Sequence, residues 1–153
     1  PVNWKYRLLY LAARCYWRIF RPITLGVKLL LVKDGTIWLV QHSYQHGWFL
    51  PGGGGKRNEA LETAVRREAR EELGAELGAV HVFGVYSSIS EYKNDHVVVF
   101  YCHDFTVGQA DKAEILAVRP FPLDQLPEDV SHGTRRRITE YLNGRPGDQA
   151  GIW

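Results

Sequence analysis

Residues 52–75 read GGGGKRNEALETAVRREAREELGA, four consecutive glycines followed by a helix-forming run that carries Glu68, Glu71 and Glu72. The glycines break any regular element and permit close backbone approaches that a side chain would block. Beyond them Leu61, Ala64, Val65, Ala69 and Leu73 recur at helical spacing, predicting a helix with Asn58 as N-cap and Gly74 as its C-terminal stop. Residues three and four apart share one side of a helix, so the glutamates converge. Convergent like charges call for a cation, or for arginines such as Arg66, Arg67 and Arg70 on the same helix. Taken alone, the glutamates read equally well as a solvated face laced with salt bridges. The glycine turn favours an ion site, because oxygen donors select hard cations such as Mg²⁺ and bare backbone can approach the same ion or a phosphate.

Working outward, Trp48-Phe49-Leu50-Pro51 runs straight into the glycines as a short apolar stretch. Upstream, Ile23 to Val32 is apolar and β-branched, Asp34-Gly35 is a two-residue turn signal, and Thr36 to Gln41 resumes a strand pattern, which predicts a hairpin. Trp4, Leu8, Leu11, Ala12, Cys15 and Ile19 mark an amphipathic helix over Trp4 to Phe20, stopped by Pro22. Its basic and aromatic residues fit a membrane-surface or partner helix; docking on the domain's own core is the expectation preferred here. Downstream, Ala79 to Ser87 and Val97 to Phe105 read as strands joined by a polar loop, Ser88 to Asp95, and Ala113 to Phe121 as another strand. Thr134 to Leu142 reads as a closing helix, and residues 144–153, rich in Gly and Pro, as a mobile tail. Strands are neither purely hairpin-connected nor regularly alternating with helices, which predicts an α+β layered sandwich: one domain over 1–143, with 1–21 as a helical extension.

The length of 153 residues accommodates one core. Hydrophobic residues at 45% and charged residues at 24% are the balance of a globular protein, and 19 basic against 17 acidic residues give no global field that would announce a nucleic-acid polymer. The first residues lack the apolar core and cleavage site of an export signal. Cys15 and Cys102 form no metal or disulfide pattern and are expected to be buried, reduced thiols. Together these features predict a cytoplasmic protein.

The spacing within the acidic segment is similar to that of a known family. Gly53, five residues, Glu59, seven residues, and then Arg67-Glu68-Ala69-Arg70-Glu71-Glu72-Leu73-Gly74-Ala75 resembles the Nudix box at every defined position, over 23 of the 153 residues. Trp48 to Gly52 and the later stretch Ala117 to Leu126 also look like the family's flanks. The resemblance implies an α/β/α sandwich with a mixed sheet. It also implies Mg²⁺-dependent hydrolysis of a pyrophosphate linkage in a nucleoside diphosphate-linked compound, foremost a (deoxy)nucleoside triphosphate or modified nucleotide, with Mn²⁺ as an alternative ion. The implied metal ligands are the Gly53 carbonyl and the carboxylates of Glu68, Glu71 and Glu72. Glu59 and Arg67 would pair to hold loop against helix, and Glu68, with Glu71 and Arg67, would serve catalysis. In many relatives the base comes from downstream instead, which leaves Glu91, Asp95, Asp104 and Glu114 as candidates. Dinucleoside polyphosphates and nucleotide sugars are alternative substrates, and a non-catalytic nucleotide-binding module is the reading without turnover.

Lys56 and Arg57 lie in the box loop, closest to the expected phosphates. Tyr44, Trp48, Tyr86 and Tyr92 could stack on a base or belong to core and rim; Tyr92, in the polar loop, is the preferred ligand contact and Trp48 a second. A tyrosine at about that place occurs in the dinucleoside-polyphosphate branch, whereas the proline of the ADP-ribose branch is absent. The histidines show no ligand spacing, and Arg135-Arg136-Arg137 reads as a solvated run opening a helix. A homodimer is compatible with all of this.

Overall fold

The computed structural model describes residues 9, 12–16, 19, 23–90, 93–111, 113–144 and 149–153. In chain order they form β1 (Ile23–Lys33), β2 (Thr36–His42), α1 (Leu61–Leu73), β3 (Glu76–Leu77), β4 (His81–Ser90), β5 (Lys93–Cys102), β6 (Phe105–Thr106), β7 (Ile115–Pro122), α2 (His132–Leu142) and β8 (Gln149–Ile152). The main sheet has six strands in the order β7-β2-β1-β5-β4-β8, and β3 pairs with β6 apart from it. It is mixed: β1 runs parallel to β5 and β4 to β8, while the remaining neighbours are antiparallel.

Strand alternation sorts the apolar residues into two layers. On one face Val27, Leu29 and Leu31 of β1 and Val98, Phe100 and Cys102 of β5 pack with Ala64, Val65, Ala69 and Leu73 of α1. On the other, Leu30, Val32, Val99 and Phe83 pack with Val130 and Ile138 around α2. The continuous apolar run of β1 is therefore that of a strand covered on both sides, and the architecture is the α/β/α sandwich expected.

The feature that positions the site is a splay between β1 and β2. After a tight turn at Asp34 and Gly35, both at positive φ, the two strands pair only at Val32↔Ile37 and Lys33↔Thr36. Beyond that, residues 49–55 enter as a wedge. Phe49 exchanges backbone hydrogen bonds with Val40 of β2, while the Leu29 amide donates to Pro51 O (3.0 Å), the Val27 amide to Gly53 O (2.9 Å) and the Gly55 amide to Leu25 O (3.0 Å). The glycine run thus lies on the N-terminal half of β1, backbone bonded and directly beneath α1.

Several expectations need correction. Helix α1 begins at Leu61 after Ala60, which makes no side-chain cap. Asn58 sits in the preceding turn at φ 60°, spending its tolerance of the left-handed region there. The polar loop expected over Ser88 to Asp95 is largely strand, because β4 and β5 pair in register out to Ser90↔Lys93. Tyr92 and Glu91 fall outside the described residues. Within the tail expected to be mobile, residues 149–152 form β8, parallel to β4. Cys102 is buried, and burial pushes its thiol up; Cys15 is exposed. Of the expected N-terminal helix, residues 12–16 are helical. Of its apolar stripe, Ala12, Cys15 and Ile19 are exposed rather than docked on the core, and Trp4, Leu8 and Leu11 lie outside the described residues.

Candidate active site

The buried stripe of α1 consists of Ala64, Val65, Glu68, Ala69, Glu72 and Leu73. Two carboxylates therefore stand inside the apolar face of the helix, Glu68 only 3% and Glu72 only 2% exposed. Burial of a carboxylate is costly unless hydrogen bonds, ion pairs or a metal compensate. That excludes the solvated salt-bridge face for these two residues. The reading does hold elsewhere on the helix, where Arg66 pairs with Glu62 and Arg70 with Glu76.

The wedge meets both buried acids. The Gly52 amide donates to Glu72 Oε2 at 2.8 Å. Gly52 sits at φ 133°, and a Cβ there would lie 2.9 Å from Lys28 Cα and closer still to Val27 O. A Cβ on Gly53 would lie 2.8 Å from Glu68 Oε1. The absence of a side chain at Gly53 is what lets the Glu68 carboxylate lie against the turn. Beneath it, Lys28 Nζ donates to Leu50 O and Gly52 O, both at 3.0 Å, clipping the wedge to β1 from the side-chain direction.

Arg67 joins the helix to the loop. Its Nε and Nη2 donate to the two oxygens of Glu59 at 2.7 and 3.0 Å, and Nη2 also reaches Gly54 O at 3.1 Å. The Lys56 amide donates to the same Glu59 carboxylate at 2.9 Å. The Arg67 hydrogen bonds, followed by that amide, hold the Glu59 carboxyl down at about 2. This is the loop-to-helix pair expected from the sequence. Nη1 of Arg67 extends to Glu68 Oε1 at 2.6 Å and to Glu71 Oε2 at 3.4 Å, so one guanidinium spans Glu59, Glu68 and Glu71. Lys56 and Arg57 are exposed at the tip of the same loop.

Of the downstream acids, Asp95 accepts from Thr24 Oγ1 at the N-terminal end of β1, the end that carries the wedge. Glu114 gives its carbonyl to the Ser43 amide just beyond β2, at the same end of the sheet. Asp104 lies at the other end, its carbonyl accepting the Gly78 amide at 2.7 Å beside the β3–β6 pair. The aromatic candidates divide as well. Trp48 is 8% exposed, packed edge-on against Phe121 in the α2-side core, and Tyr86 is 1% exposed beneath Arg137. Both are corrected to core residues; Tyr44 is exposed at 66% and stacks with His42 near Glu114.

The set fits a hard divalent ion in its chemistry: carboxylate oxygens, one backbone carbonyl, and a cradle at Gly53 that any side chain would fill. As placed, the described residues hold no group of three or more such side chains arranged around one point; Glu68 and Glu71 converge on Arg67.

Sequence reasoning missed Arg137. It is 2% exposed and lies over the Tyr86 ring at 3.8 Å. Its Nη2 donates to Glu140 Oε1 (2.7 Å) and its Nη1 to Ile152 O (3.3 Å). It locks β8 to α2 on the face away from the acids. No local signal distinguishes it from its neighbours, the half-buried Arg135, which donates to Pro127 O, and the exposed Arg136.

The site is thus a glycine wedge and a glutamate-bearing helix at the splay of a mixed six-stranded sheet that lies between two helices. The family model of the NUDIX domain matches residues 21–142, and the chain belongs to the Nudix hydrolase family. An RNA pyrophosphohydrolase from Hydrogenovibrio crunogenus is 33% identical over 92 residues, covering 59% of this chain and 54% of that protein. An ADP-ribose pyrophosphatase from Methanocaldococcus jannaschii is 27% identical over 141 residues, covering 86% and 80%. The chain spans about half the length of the RNA pyrophosphohydrolases it matches. Among solved structures, a MutT Nudix hydrolase from Burkholderia pseudomallei is similar with a TM-score of 0.71 and 28% identity, over 77% of this chain and 97% of that one.

Proposed function

We propose that this protein hydrolyses a phosphoric anhydride bond of a nucleotide, foremost a (deoxy)nucleoside triphosphate or modified nucleotide, with Mg²⁺ as its ion. The observation that carries the reading is the burial of Glu68 and Glu72 inside the apolar stripe of α1, against the Gly52-Gly53 backbone. Such carboxylates are a liability to folding and an asset to a cation site. Glu68, Glu71, Glu72 and the Gly53 carbonyl are the groups that would hold the ion. A divalent cation bound there would neutralise phosphate charge and acidify water. Glu68 would take the proton of the attacking water, Lys56 and Arg57 would meet the phosphates, and Arg67 would keep loop and helix in register. Enzymes of this family generally use divalent cations and act on small nucleotides, and the relatives' printed names are pyrophosphohydrolase and pyrophosphatase.

The test is turnover. Purified protein with Mg²⁺ is offered nucleoside triphosphates, oxidised nucleotides, 5′-triphosphorylated RNA, ADP-ribose and dinucleoside polyphosphates, and the released products are identified. Glu68→Gln and Glu72→Gln should each lower the rate by about a hundredfold or more. If Glu68→Gln stays active while Asp95→Asn or Glu114→Gln does not, the base lies downstream. Nucleotide binding by calorimetry with no product from any compound would mark the chain as a binding module instead.

A further inference from the structure

We infer that Tyr44 is the platform on which the site stacks the nucleobase of its substrate, so that the chain holds nucleotides in preference to bare polyphosphates. The inference rests on the proposed reading of the acids around Gly53 and adds to it the group that meets the base. Among the described residues, Tyr16 and Tyr44 are the exposed members of the Phe, Tyr and Trp set, and Tyr44, 66% exposed, is the one that belongs to the sandwich. Trp48 and Tyr86 are taken up by the α2-side core. An aromatic face open to water is what a nucleobase can cover, and base–aromatic stacking contributes roughly 1–3 kcal/mol.

Register brings this ring to the acids. The β1–β2 pairing is fixed at Val32↔Ile37 and Lys33↔Thr36, and the same register carried through the splay sets His42 level with Val27. The Val27 amide donates to Gly53 O at 2.9 Å, and the Glu68 carboxylate lies against Gly53. The end of β2 and the proposed ion site therefore stand at one height on the sheet. They share a face as well. Val40 and Phe49 pack in the α1-side layer, and His42, two residues past Val40 and 5% exposed, leans on Phe49 with ring centroids 5.7 Å apart. Tyr44 in turn stacks on His42, the centroids 5.0 Å apart and the planes at 24°. Phe49, His42 and Tyr44 thus form a run of three rings that starts in the wedge and ends in solvent. The turn that carries Tyr44 is pinned on both sides. The Ser43 amide donates to Glu114 O at 2.8 Å and the Trp48 amide to Asp129 O at 3.1 Å. Gly47, at φ 105°, lies so close to Asp129 O that a Cβ there would clash. A ring held in place before the ligand arrives loses little freedom on binding, which favours affinity.

The experiment compares a ligand that has a base with one that has none. The first is 2-aminopurine riboside 5′-triphosphate, whose fluorescence is quenched when its base stacks, titrated with Mg²⁺ by rapid mixing and read ahead of turnover. The second is inorganic tripolyphosphate, titrated by calorimetry in the same buffer. Wild type should bind both and quench the fluorescent base. Tyr44→Ala should weaken the nucleotide roughly ten- to a hundredfold and remove the quench, with tripolyphosphate binding and the thermal midpoint unchanged, and Tyr44→Trp should restore both nucleotide signals. Nucleotide binding without a quench in wild type, or a quench and affinity that survive in Tyr44→Ala, would overturn the inference and leave the proposed hydrolysis standing. An equal loss of nucleotide and tripolyphosphate in Tyr44→Ala would also overturn it, since Tyr44 would then support the ion site rather than the base. A wild-type chain that binds neither ligand would remove the proposed site and the base platform together.

Discussion

Substituting Gly52 and Gly53 one at a time should separate folding from chemistry. Alanine at Gly52 must accept φ 133° and put its Cβ 2.9 Å from Lys28 Cα, in backbone that cannot yield. Gly52→Ala is therefore expected to lose about 3 kcal/mol or more of stability, read as a fall in the denaturation midpoint. Alanine at Gly53 meets only the carboxylate end of Glu68, at 2.8 Å. That end can move, so Gly53→Ala should fold close to normally and lose turnover, because the displaced carboxylate is the one proposed as base. Lys28 gives a third contrast. Lys28→Met removes two donors from half-buried carbonyls of the wedge, which should cost about 1–3 kcal/mol, and Lys28→Arg should recover part of it. The Glu59 pair predicts a pH effect with a definite sign. Arg67 holds the Glu59 carboxyl at about 2 against its usual 4.5, so the stabilisation is complete above 4.5 and is lost as pH falls toward 2. The difference in thermal midpoint between wild type and Glu59→Gln should be positive at neutral pH, shrink through that window and vanish at its acid end.

Elements of this fold differ in how they announce themselves. The glycine turn and α1 were readable because glycine, acid and apolar positions carry fixed spacings, and β1 because a ten-residue run, apolar apart from Thr24 and Lys28, leads into the Asp34-Gly35 turn. β8 was not readable: Gln149-Ala150-Gly151-Ile152 has no strand signature, and its pairing with β4 is made by backbone groups that composition does not encode. Its hold comes from Arg137, which donates to Ile152 O and is itself held by Glu140, from Tyr86, far away in sequence, and from the Trp153 amide donating to Ser87 O at 3.0 Å. β8 also lies outside residues 21–142, the span matched by the family model. It braces α2 through Arg137 and Arg136. Removing residues 149–153 would expose the Tyr86–Arg137 stack and take the Ile152 O acceptor from Arg137, leaving its pair with Glu140. The expected loss is about 1–3 kcal/mol, measured by urea denaturation, with little change in turnover because the acids lie on the opposite face of the sheet.

At the scale of the whole molecule, one geometric device joins fold to site. The splay of β1 from β2 leaves backbone groups on both strands unpaired, the wedge fills them, and in doing so it brings Gly52 and Gly53 against two buried acids. The sequence displayed the acids and the glycines, yet the splay itself was invisible, since parallel pairing of β1 with β5 and the short β1–β2 ladder are long-range choices. Trp48 illustrates the same limit: next to the glycines in sequence, it turns into the opposite core layer. Because the wedge and α1 are separate elements that share the proposed ion, cation binding should stabilise the assembled fold over the unfolded chain. At a hundred times its dissociation constant, Mg²⁺ should contribute about 2.7 kcal/mol, which for a domain of this size is a rise of roughly 5–10 °C in thermal midpoint. Chelation should reverse the rise and abolish turnover together. Glu72→Gln should remove the Mg²⁺-dependent shift, and so should Glu68→Gln, whereas Asp104→Asn, at the far end of the sheet, should keep it in full. A shift of equal size in all three variants would place the ion elsewhere.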